Sequence, residues 1–253
     1  MSHTICKNCH HSFKGNYCNN CGQSSHTHPI NFQYLIHELQ HGFLHVDKGI
    51  FFTLKELFTR PGDSIREFIE GKRVKHFKPV ISLVIILATI YGLLSHYFKM
   101  EVLEVDSNFV SDNTSFLKDL LKIRNWIYDH FVWVSLLSIP LYSLGTLFAF
   151  RKQKYNFTEH IVLNTFLAGQ KLALHIATFP LAYAFKSTSF ENSFDNILTL
   201  IDFILLVWTC KEFFKQESKL RTIKLAILSY IIYVATLAIL AGGVIAVVYA
   251  INK

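Results

Sequence analysis

Charge is scarce in this chain. Asp, Glu, Lys and Arg make up only 17% of its 253 residues, against 51% hydrophobic, too little to cover the surface of a soluble protein of that size. No apolar segment stands near the start, where residues 1–30 are polar and hold four of the five cysteines, so a cleaved signal peptide is not expected. There is no internal repeat and no pair of broken apolar segments, which removes the usual sign of a transporter. Basic residues form no stripe among the amino-terminal cysteines, where only Lys7 and Lys14 are positive, so nucleic acid is not expected as a partner.

Long apolar runs are what the chain has instead. Runs near 80–98, 128–150, 160–185, 194–214 and 225–250 reach or approach the ~20 residues that a helix needs to cross a bilayer. The mean hydropathy of +0.30 agrees. Most of the +7 net charge lies ahead of the first run, from Arg60 to Lys78, and in the second and fourth linkers, at Arg151, Lys152 and Lys154 and from Lys211 to Lys224. The first linker carries Glu101, Glu104, Asp106, Asp112 and Asp119 against Lys118, Lys122 and Arg124, and the third is nearly neutral. The positive-inside rule then predicts an N-terminus in the cytoplasm and a C-terminus outside. The expected fold class is an all-α integral membrane protein of five transmembrane helices. A small zinc ribbon over 1–24 and amphipathic interfacial helices over 25–78 precede a transmembrane domain over 79–253.

Two C-x-x-C pairs, Cys6/Cys9 and Cys18/Cys21, are separated by eight residues. Each pair can form a knuckle presenting two thiolates to one ion, with His10–Tyr17 folding back as a hairpin about Lys14-Gly15-Asn16. Four thiolates in tetrahedral array suit structural zinc, with an iron centre or a redox pair as the alternatives. A closed four-cysteine site leaves no position for water, so a structural rather than catalytic metal is expected. Cys210 reads as an inert thiol in an apolar run.

Residues 31–60 carry a helical stripe of Phe32, Leu35, Ile36, Leu39, Phe43 and Val46 after an Asn31 cap. A second helix is predicted over Ile50–Thr59, and a third over Ile65–Glu70, capped by Asp63 or Ser64 and stopped by Gly71. The basic residues Arg66, Lys72, Arg73 and Lys75 offer either topogenic charge or a site for anionic lipid or phosphate. The stripe also contains His37-Glu38-Leu39-Gln40-His41, an H-E-x-x-H in which two imidazoles could hold zinc while Glu38 activates water. His45 would stand about 12 Å along the helix from His37, too far to join that ion unless the helix breaks at Gly42. A second metal at His37, His41 and His45 and a plain polar face are the other readings.

The order of motifs resembles an uncharacterised bacterial family known only as a domain of unknown function. The resemblance rests on Cys21-Gly22-Gln23, His45-Val-Asp-Lys-Gly49, Thr53-Leu-Lys-Glu-Leu57, Arg60-Pro61-Gly62, Ile65-Arg66-Glu67-Phe68-Ile69 and Gly71-Lys72-Arg73, with Glu159-His160 further along. It implies a small multi-pass inner-membrane protein with a zinc ribbon, and it implies no activity. The ribbon is expected to recruit a cytosolic protein partner.

Three ionisable residues, Lys171, His175 and Asp202, fall inside apolar runs. Counted at 1.5 Å per residue, Lys171 and Asp202 lie at similar depth and are expected to pair. Such a pair either locks two helices or lines a proton or solute path. Ala238, Gly242, Ala246 and Ala250 recur at four-residue intervals in the last run, a face suited to close packing within the bundle or between protomers.

Overall fold

The computed structural model describes residues 3–25, 27, 30–33, 49–77, 80–98, 100, 125–215 and 218–251, without side chains at 241 and 243–251. The HELQH segment, His45, and most of the predicted first amphipathic helix lie outside the described residues.

The ribbon begins with β1 (Thr4–Ile5) paired antiparallel to β2 (Ser12–Phe13), Thr4 opposite Phe13 and Ile5 opposite Ser12. Tyr17 and Ser24 form a second antiparallel bridge. The predicted hairpin over His10–Tyr17 is therefore corrected. Each C-x-x-C knuckle is itself the turn of a short hairpin, and the residues between the knuckles link the two.

Two short helices follow, α1 (Gly49–Thr59) and α2 (Pro61–Glu70). α1 lies within a residue of its predicted bounds. α2 starts four residues earlier than expected, because Pro61 fits the first helical turn, where a missing N–H costs nothing. Arg60 holds the cap position without a side-chain cap, and Gly71 closes the helix at φ 114°, a left-handed conformation that glycine adopts without penalty.

Among the described residues, the bundle is made of five long helices: α3 (Val80–Tyr97), α4 (Phe131–Ala149), α5 (Phe157–Phe185), α6 (Glu191–Phe213) and α7 (Lys219–Ile251). α3, α4, α6 and the Lys219–Leu240 part of α7 are long and apolar enough to cross a membrane. α5 is 29 residues long but falls outside that set, its apolar character diluted by Asn164, Gln170, Lys171 and His175. It is the hub of the fold, packed against α1, α2, α3, α4 and α6, which explains the polarity. Val162, Leu163, Phe166 and Leu167 bury its apolar positions in the core, while its polar groups meet partners on neighbouring helices. Its start is a capping box, with Asn156 Oδ1 accepting from the Glu159 backbone and Glu159 Oε2 accepting from the Asn156 N–H. Pro140 and Pro180 both sit inside continuous helices, as bundle interiors tolerate. Gly145 of α4 lets that helix approach the Ser229 carbonyl of α7, where an added β-carbon would stand 2.5 Å from the oxygen.

Candidate metal centre and its seat on the bundle

The two knuckles fold alike. Cys6 N–H donates to the His11 carbonyl and His10 N–H to the Cys6 carbonyl; Cys18 donates to Gln23 and Gly22 to Cys18 in the same pattern. The residue after each second cysteine is left-handed, His10 at φ 59° and Gly22 at φ 76°. These matched turns aim all four thiols at one point. Cys6 Sγ lies 3.5 Å from Cys21 Sγ and Cys9 Sγ 3.6 Å from Cys18 Sγ, and all four fall within 4.8 Å of one another. Four sulfurs about 2.3 Å from a tetrahedral ion would stand about 3.8 Å apart, so the cluster fits one metal ion. Burial pushes the Cys6 thiol up to about 11, while hydrogen bonding to the Asn20 side chain lowers Cys9 to about 6. The donor set is all sulfur and closed.

The ribbon is fastened to the end of α2. Gln23 is buried, its Nε2 donating to Thr27 Oγ1 and its Oε1 accepting from the Arg73 backbone N–H at 3.3 Å. Lys7 Nζ donates to the Thr27 carbonyl. A β-carbon on Gly71 would stand 2.9 Å from the Lys7 side chain and 3.0 Å from that of Thr27.

The motif residues around this seat are docking devices. Gly49 passes against the backbone of 75–77, where a β-carbon would come within 2.8 Å of Phe77 N. Thr53 Oγ1 accepts from that same N–H, and the Leu57 carbonyl accepts from Gln170 Nε2 of α5. Gly62 lies against the end of α6, its N–H donating to Glu212 Oε2. Arg66 Nη1 donates to the carbonyls of Glu212 at 2.8 Å and Phe213 at 3.1 Å, closing the carboxyl end of α6, while its Nη2 pairs with Asp63. Arg73 is buried with its guanidinium on the carbonyls of Phe68 and Ile69, over the Phe68 ring. Lys72 pairs with Glu67, and the exposed Lys75 lies over the Phe52 ring. The four basic residues thus do not converge on one site. Sequence alone could not show that Arg66 and Arg73 serve helix ends, since their acceptors are backbone oxygens.

Within the bundle, Lys171, His175 and Asp202 do come together. Asp202 Oδ2 lies 3.4 Å from Lys171 Nζ and 3.2 Å from His175 Nε2. The same Lys171 and Asp202 border a cavity of about 640 Å³, with Tyr142, Asn164, Asn196 and Tyr233 among its walls. Beside it runs a buried polar cluster that the sequence reading missed. Asn164 Nδ2 donates to Ser143 Oγ, Thr146 Oγ1 and the His160 carbonyl, and His160 Nδ1 meets Thr146 Oγ1 at 3.0 Å. Its signals were Glu159-His160 and the polar positions one turn apart on α4 and α5.

Taken together, the fold defines a mostly helical chain of membrane-protein composition that carries a four-cysteine cluster able to bind metal ahead of its bundle. Residues 47–92, from just before α1 into α3, match a family described as a protein of unknown function (DUF3667). No curated protein and no solved structure matches the chain. The matched segment contains Gly49, Thr53, Gly62, Arg66, Gly71 and Arg73, the residues that dock the ribbon seat onto the bundle.

Proposed function

We propose that this is a non-enzymatic, five-span protein of the bacterial inner membrane that holds a zinc-loaded ribbon at the cytosolic face and recruits a cytosolic protein there. The observation that carries the reading is the fastening of the ribbon to α2 through Gln23 and Arg73, with α2 in turn locked to α6 through Arg66. A metal module without such a seat would be a tethered domain; here it is held in a fixed pose. Ile5 and Tyr17 leave apolar side chains 68% exposed on the ribbon, and the recruited protein would cover them. The all-sulfur donor set and a segment too small to fold without metal support zinc as the ion. The distribution of basic residues supports the cytosolic side for the ribbon, and α5 is long enough to be the fifth span at 1.5 Å per residue.

Proximity labelling from the native membrane tests recruitment. Wild type and an Ile5→Ser/Tyr17→Ser variant should label different cytosolic proteins while both retain about one zinc. Identical labelling from a variant lacking residues 1–24 would refute it. Zinc content of His37→Ala/His41→Ala addresses the peptidase alternative with Glu38, since a drop from about two ions to one would place a second metal there.

A second reading has its own observation, the cavity bordered by the Lys171–Asp202 pair. Ionisable groups inside a membrane bundle are costly and commonly mark a path for protons or solutes. Proton flux in proteoliposomes that vanishes in Asp202→Asn would favour it, and unchanged flux would remove Asp202 from any path.

A further inference from the structure

At the charged end of the bundle, three segments far apart in sequence close around a cavity of about 340 Å³. α2 contributes Arg66, the turn between α4 and α5 contributes Lys152, Lys154 and Tyr155, the last residue of α6 contributes Phe213, and the chain just past it contributes Lys215. We propose that this cavity binds a phosphate group.

Four cations face one small space. Asp63 pairs with Arg66 and, at 3.0 Å, with Lys215, and the carboxylates of Glu70 and Glu159 stand near enough to act on the wall residue Tyr155, which leaves the cations in excess. Lys152 and Lys154 make no ion pair among the described residues. Like charges gathered at a concave, partly apolar surface repel one another, and a bound anion relieves that repulsion. A phosphate brings at least one negative charge and several strong acceptor oxygens, which suits lysines as point charges beside an oriented guanidinium. Arg66 is held in place by its bonds to the α6 carbonyls, so its charge is fixed before any ligand arrives.

The backbone adds a second argument. Lys154 is left-handed at φ 59°, ψ 15°, a conformation unfavourable for a residue with a β-carbon. Asn156 two residues on is committed to capping α5, so the turn must reverse within this stretch, and it does so with lysine rather than glycine. The lysine at this strained position adds a cation to the rim of the basic cavity. The cavity floor is aromatic, Tyr155 standing 4.6 Å from the Phe213 ring and 5.7 Å from Phe214. A phosphate over an apolar floor at the ends of α4 and α6 matches a phospholipid headgroup, and a free phosphate offers the same oxygens. The cavity touches neither the cysteines nor the proposed partner surface, so it stands or falls independently of recruitment.

The test uses the full chain in nanodiscs and three matched proteins: wild type, Lys152→Gln/Lys154→Gln, and Lys219→Gln/Lys224→Gln. The last pair is exposed, basic and outside the cavity, so it removes equal charge from the same end. At about fivefold per lysine in direct contact with the anion, the Lys152/Lys154 variant should lose roughly 25-fold in phosphate-group binding, while the control pair, which touches no part of the cavity, stays within about twofold of wild type. Inorganic phosphate is titrated against phosphatidylcholine nanodiscs, and phosphatidylglycerol retention is measured by native mass spectrometry. Loss confined to the Lys152/Lys154 variant in the first arm assigns the site to free phosphate; loss confined to it in the second assigns it to the lipid headgroup. Equal loss in both variants, or no binding in either arm, overturns the proposal.

Discussion

Gly62→Ala separates what helix propensity predicts from what the structure predicts. Alanine stabilises a helix interior by about 1 kcal/mol over glycine, so α2 taken alone should gain. In the fold, the new β-carbon would stand 2.3 Å from Phe213 N, 2.4 Å from Glu212 Cβ and 2.6 Å from Glu212 C. Ordinary contact begins near 3.4 Å, so α2 and α6 must separate by roughly 1 Å at a point where both surfaces are backbone or near it. Overpacking of this kind costs about 1–3 kcal/mol, and lengthening even one of the Arg66 bonds to the α6 carbonyls adds about 1.5–3 kcal/mol. After the propensity gain, a net loss of about 3 kcal/mol is expected, a fall of roughly 6–12 °C in unfolding midpoint for a chain of this size. Gly242→Ala in α7 is the control, since among the described residues nothing lies within 4 Å of its added carbon, and it should be neutral or stabilising by up to about 1 kcal/mol. Thermal unfolding of the detergent-purified proteins reads both. Trp208, whose indole donates to Glu212 Oε1 at 2.6 Å, reports locally through its fluorescence. Equal or raised midpoints for Gly62→Ala would refute the close docking of α2 on α6.

Other expectations concern the charges and the ribbon. Burial works to raise the Asp63 carboxyl, but its hydrogen bonds from Lys215 and Arg66 hold it below the ordinary carboxylate value; Glu67 is lowered in the same way by Lys72 and Arg60. Both therefore stabilise the fold above the unfolded carboxylate pKa of about 4 and lose that contribution as pH falls through their lower folded values; an acid titration of stability should flatten below about pH 4 in Asp63→Asn/Glu67→Gln. His10→Gly relieves a left-handed residue and should tighten the loaded ribbon by about 1 kcal/mol, seen as slower metal loss to a chelator; faster loss would contradict the matched-knuckle geometry. Arg73→Met leaves the Phe68 and Ile69 carbonyls without their charged donor and should cost about 1–3 kcal/mol, with protease cleavage rising between ribbon and bundle; unchanged stability and cleavage would dismiss that role.

The long helices were legible because apolar length is a local signal. All five runs fall on helices, and the shared depth of Lys171 and Asp202 follows from rise per residue alone. The cysteine tetrad was equally readable, since spacing fixes which thiols can meet. The start of α2 was misplaced because Pro61-Gly62 reads as a break, whereas here proline opens the helix and glycine admits the backbone of α6. Arg66 and Arg73 read as topogenic charge or as part of a lipid or phosphate site. Their acceptors are main-chain groups, in one case 146 residues away, and no pattern of side chains announces them. The basic cavity was hidden likewise, its lysines scattered over linkers that only the fold brings together.

The span of 146 residues between Arg66 and the carbonyl it closes also sets an order of assembly. At typical synthesis rates of about 5–20 residues per second, roughly 7–30 s separate the emergence of α2 from that of Glu212. Throughout that interval Phe68 can already meet Phe166 of α5, but Arg66 and Gly62 lack the end of α6 that they close on. Closure of the Arg66 contact is then a late event that can occur only once α6 is complete. A chain stalled before residue 212 therefore lacks the carbonyls that Arg66 closes on, and its α2 is held by α1 and α5 alone.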